Sequence, residues 1–112
     1  MLLWELTELE LPTDRRRSVR AGGYRIVMST HVEKQRQSRA VSVNDIAVIL
    51  TRLNRVKKQI NQLPVYEKFI ITDPQSGISL GMMRLDEPGV LKLNTVYPGR
   101  GLDPNKPRIS VR

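Results

Sequence analysis

Ile46, Ile49, Leu50, Leu53, Val56 and Ile60 recur at steps of three and four, the spacing of one buried helical stripe. No other stretch of the chain carries so clear a period. The stripe predicts a long helix from Ser42 or Asn44, either of which can act as N-cap, to about Gln62, with Pro64 as the stop. Arg52, Arg55 and Lys58 fall on its polar side. A helix with one apolar face needs a second layer to cover it, and the flanking segments supply strands.

Upstream, Tyr24, Ile26 and Met28 alternate with Arg25, Val27 and Ser29, which predicts a short strand. Thr30 and Glu33 have capping-box spacing, so a short polar helix is expected from His31 to about Arg39. Downstream, Glu67–Thr72, Ile78–Leu85 and Val90–Tyr97 read as three strands. Turns at Asp73-Pro74-Gln75-Ser76-Gly77, Asp86-Glu87-Pro88-Gly89 and Pro98-Gly99 separate and close them. The expected fold is α+β, an antiparallel meander packed against one long and one short helix.

Residues 24–97 form the expected domain. Residues 1–23 read as an N-terminal segment followed by a basic, glycine-ended linker. Met1–Leu11 fits a helix or a strand equally well. Residues 98–112 read as an extended basic tail. Aromatic residues are few, so aliphatic side chains and methionine, Met82 and Met83 among them, must fill the core.

Charge narrows the function. Nineteen Lys and Arg against eleven Asp and Glu give +8, with a pI near 10.5. Such a domain attracts polyanions. RNA or DNA is the expected partner, an acidic protein the other candidate. No apolar run is long enough for a bilayer, and the N-terminus lacks a secretory signal pattern, so a cytoplasmic protein with no membrane partner is expected. With no cysteine and one histidine, neither zinc nor calcium spacing is present, and no metal or cofactor is expected. Gly99-Arg100-Gly101 lacks the context of a nucleotide-binding loop, and no serine sits in a nucleophile elbow.

The segment Tyr24–Ile46 resembles the opening of BrnT-like and RelE-type small ribonuclease toxins. There a strand runs into a helix that begins with His, and Arg stands before a small residue, an aliphatic one and Ser. His31, Arg39, Val41, Ser42 and Ile46 match that pattern. The resemblance spans roughly residues 24–97; the family's usual Arg four residues after the His is Gln35 here, with Arg36 adjacent. It implies a RelE/BrnT-like fold, metal-independent RNA cleavage and a cognate antitoxin.

Such cleavage needs a proton acceptor, cations around the phosphate and a donor for the leaving oxygen. His31, Arg39, Arg84 and Tyr97 are the candidate catalytic residues. Arg36, Arg52, Arg55, Lys58, Lys68 and Lys92 are the candidate nucleic-acid contacts, with Lys68 and Lys92 on neighbouring strands and able to share a groove. The leucine-rich opening is also similar to that of small phage-encoded proteins. The alternative is accordingly a non-catalytic phage accessory or virion protein that docks on nucleic acid or on a host macromolecular machine. Convergence of His31, Arg39 and Arg84 on one concave surface separates the two readings.

Overall fold

A computed structural model describes residues 17–28, 30–99 and 105–111. The expected N-terminal segment, the side chains of the expected capping box and part of the tail lie outside the described residues. Six strands form one sheet: β1 (Arg17–Ala21), β2 (Tyr24–Met28), β3 (Lys68–Asp73), β4 (Ile78–Arg84), β5 (Val90–Pro98) and β6 (Arg108–Ser110). Their spatial order is β1-β2-β5-β4-β3-β6. Three helices, α1 (Thr30–Ser38), α2 (Val43–Thr51) and α3 (Lys57–Asn61), intervene between β2 and β3.

The fold is α+β, but two finer expectations are corrected. First, the sheet is mixed. The β3-β4-β5 meander is antiparallel as expected, while β2 pairs with β5, and β3 with β6, in parallel. A crossover through a helical layer returns the chain to the end of the sheet where it began, so the next strand runs parallel to the one before it. Second, the long helix is broken. After Thr51 the chain passes through a 3₁₀ turn at Leu53–Val56 before α3. Thr51 Oγ1 donates back to the Val48 carbonyl at 2.7 Å, a competing bond of the kind that weakens helices. Leu50, Leu53 and Val56 are spaced by threes, which suits three residues per turn. All six stripe residues are nonetheless buried in the cluster that joins the helices to the sheet.

Ser42 is the α2 N-cap, its Oγ accepting from the Asn44 N–H at 3.1 Å. Helix α1 closes with a Schellman motif: Ala40 N–H donates to Gln37 O, Val41 N–H to Arg36 O, and Ala40 takes φ 55°.

Strand β1 lies in the expected linker and β6 in the expected tail. Gly22 and Gly23, at φ 62° and 83°, make a two-residue hairpin turn between β1 and β2. Gly22 also backs onto the helix break. A Cβ there would collide with the Leu50 carbonyl and lie 2.8 Å from Leu53 Cβ. Val19 on β1 and Ile109 on β6 are buried in the common core, which is why both short segments join the sheet. No helix among the described residues is long and apolar enough to cross a membrane.

Candidate nucleic-acid interface

Strand β2 stops pairing at Met28, opposite Leu93, yet β5 continues to Pro98. Beyond Leu93 the β5 edge needs other partners, and α1 and the residue that follows it supply them. Gln35 Oε1 accepts from the Val96 N–H at 3.2 Å, and Arg39 Nη1 donates to the Val96 carbonyl at 2.8 Å. Two side chains thus stand in for a missing strand. Because Gln35 Oε1 faces Val96, its Nε2 faces His31 Nε2 at 2.8 Å. That bond places the neutral imidazole proton on Nδ1.

His31 and Gln35 on α1 and Arg39, the residue just past its end, follow one another at four-residue intervals. His31 and Arg39 are eight residues apart, so about 12 Å of helix axis separates them. Concerted action on one phosphate requires both groups within hydrogen-bond reach of it. Arg84 serves a different part of the fold. Its Nη1 donates to the Leu63 carbonyl at 2.5 Å and to the Asn61 carbonyl at 3.1 Å, closing the end of α3. Asn61 Oδ1 accepts from the Tyr24 hydroxyl at 2.8 Å, so Tyr24, Asn61 and Arg84 tie β2, α3 and β4 together. Burial pushes the Tyr24 phenol above its ordinary value, and the Arg84 charge partly offsets this. Arg84 lies four residues along β4 from Leu80, the partner of Val96, a span of about 13 Å.

The other candidates divide between the two sides of the molecule. Arg36 donates to the Val41 carbonyl at 3.2 Å, within the α1 C-terminus. Arg52 lies 3.7 Å from the buried carboxylate of Asp73. That carboxylate also accepts from the Gln75 and Ser76 N–H groups and the Ser76 hydroxyl in the β3–β4 turn. Arg55 and Lys58 are exposed on the helical layer. Lys68 and Lys92 belong to the opposite face of the sheet, on which none of the described helices packs.

That face is read from the register. Ile26, Leu91, Met82 and Phe69 point toward the helices, so their strand neighbours Arg25, Lys92, Met83 and Lys68 point away. Met83 pairs with Lys92 on one side and Lys68 on the other, which sets the two lysines two strands, or about 9.5 Å, apart across one row. Arg20 is directly opposite Arg25 on the same face. Arg108, its guanidinium 3.3 Å from Thr72 Oγ1, extends the set onto β6. No carboxylate of the described strands points to this face. Lys68 and Lys92 were named from the sequence. Arg20, Arg25 and Arg108 were missed, although Arg25 sits at an outward position of a strand that the alternation had already shown.

A β-bulge shapes the middle of this face. Gly81 pairs with Thr95 but Met82 pairs with Leu93, leaving Asn94 without an opposite number. Leu93 and Val96 both enter the core, so the two residues between them, Asn94 and Thr95, turn outward together. Asn94 Nδ2 is buried with no hydrogen-bond partner, which costs about 1–3 kcal/mol. Gly81 is required here, because a Cβ would collide with Thr95 Oγ1 and lie 3.7 Å from Lys68 Cε. Tyr97 follows on the same face, half-buried. No metal-binding group of three or more His, Asp or Glu occurs among the described residues.

No family model, curated protein or solved structure matches this chain.

Proposed function

We propose that the protein binds the phosphate backbone of a nucleic acid on the face of its sheet opposite the described helices, and that it acts by binding and not by cleavage. The observation that carries this reading is the gathering of Arg20, Arg25, Lys68, Lys92 and Arg108 on one face that receives no carboxylate from the described strands. Cations at strand spacing neutralise successive phosphates and release their counterions, whatever the base sequence. The engagement of Arg39 at Val96 and of Arg84 at the end of α3 supports binding over the ribonuclease chemistry that the toxin resemblance implies. Arg39 and Arg84 are each held on backbone carbonyls.

The test is a salt series of fluorescence anisotropy with labelled single-stranded RNA and DNA of mixed sequence. Five phosphate contacts predict a slope of log K against log salt of about −3.5. Intact RNA after prolonged incubation in chelator is the accompanying expectation. Absence of binding at low salt overturns the reading. Cleavage by wild type that is abolished in His31→Ala restores the catalytic one.

A further inference from the structure

Resting on the nucleic-acid reading above, we infer that the β4–β5 bulge is a phosphate seat within that face. Its charge comes from Lys68 and Lys92, its directed neutral donors from Asn94 and Thr95, and its ligand is one phosphodiester of a bound strand. Four observations meet here. The two lysines flank Met83 in one cross-strand row. The bulge turns two consecutive polar side chains to the same side, where a regular strand would present one. Gly81 leaves open the space into which the Thr95 hydroxyl projects, beside the Lys68 stem. The Asn94 amide keeps a buried N–H donor without an acceptor.

Every group in this cluster can donate a hydrogen bond, and none is a carboxylate, which is the chemistry of an oxyanion site. The continuation of positive charge to Arg25 on one side and Arg108 on the other suits a polyanion that crosses several strands. The Lys68 side chain is long and flexible, so its ammonium can swing onto an arriving phosphate and uncover the polar groups beside its stem. Within the face, the lysines contribute the salt-dependent part of the affinity. Asn94 contributes a neutral, directed bond.

The experiment follows the side-chain amide resonances of ¹⁵N-labelled full-length protein during three titrations: inorganic phosphate, a mixed-sequence single-stranded oligonucleotide, and poly-glutamate. The expected result is a saturating shift of the Asn94 pair with the oligonucleotide and none with poly-glutamate. A shift with inorganic phosphate as well identifies a seat for any phosphate, whereas silence there identifies one that needs the strand. Anisotropy on variants completes the test. Lys68→Ala with Lys92→Ala should reduce the salt slope by about 1.4, two contacts at about 0.7 each. Asn94→Leu should weaken binding about tenfold at unchanged slope. Oligonucleotide binding by wild type with an unmoved Asn94 pair and unaltered variants overturns the seat and leaves the nucleic-acid reading standing. An equal Asn94 shift with poly-glutamate overturns the phosphate assignment. No binding of oligonucleotide by wild type overturns both.

Discussion

An arginine that counts as one positive charge in a sequence becomes a different object once its guanidinium is spent on carbonyl groups. Arg39 and Arg84 were candidates for gripping a phosphate, and each holds backbone instead, at Val96 and at the end of α3. Nothing in the spacing of these residues could show it, because their acceptors lie 57 and 21 to 23 positions away in the chain. Gln35→Leu should cost about 1–3 kcal/mol, since it leaves the N–H of fully buried Val96 without an acceptor. A denaturant midpoint within error of wild type contradicts this. Exposed His31 is a different case. His31→Ala should move the same midpoint by no more than about 0.5 kcal/mol. Tyr24 adds a pH dependence. Its raised folded-state pKa means that its contribution is complete below the unfolded value of 10.0 and is lost as pH rises through the higher folded value. As pH rises above 10.0, wild type should therefore lose more stability than Tyr24→Phe, and parallel pH profiles contradict that expectation.

Elements were legible where one periodicity held over several turns or residues. The stripe from Ile46 to Ile60 identified every helical residue that the core uses there, yet it could not reveal the 3₁₀ turn, because steps of three satisfy both geometries. The break became visible only with Gly22 packed against Leu50 and Leu53. Strand β1 was hidden by its charge. Its signal was the Gly-Gly pair ahead of Tyr24, with Val19 and Ala21 alternating against Ser18 and Arg20, a hairpin pattern that a density of arginine disguises as a linker. Strand β6 is three residues long and is recruited by Ile109 packing into the shared core. Two substitutions test this layer. Leu53→Ala should cost about 2–5 kcal/mol as a buried truncation. Gly22→Ala should destabilise by at least about 2 kcal/mol, since strain at positive φ adds to collision with the Leu50 carbonyl. Unchanged urea midpoints would remove the stripe or the turn from the account.

At the scale of the molecule, the described cations fall on two sides of the sheet. The helical layer exposes Arg55 and Lys58 and pairs Arg52 with Asp73; the face opposite the described helices carries the five cations read from register. The sequence announced the charge, while only strand pairing could sort it by side, because Arg20, Arg25, Lys68, Lys92 and Arg108 come from five strands scattered over the chain. The central claim is that this sorted face meets phosphates. It is tested most directly by the salt slope of oligonucleotide binding, wild type beside the Arg25→Ala, Lys68→Ala, Lys92→Ala triple variant, with Arg55→Ala, Lys58→Ala as the control on the other side. The account predicts a wild-type slope of about −3.5, a loss of about 2 units in the triple variant and no change in the control. A slope that survives the triple variant, or one that falls in the control instead, contradicts it.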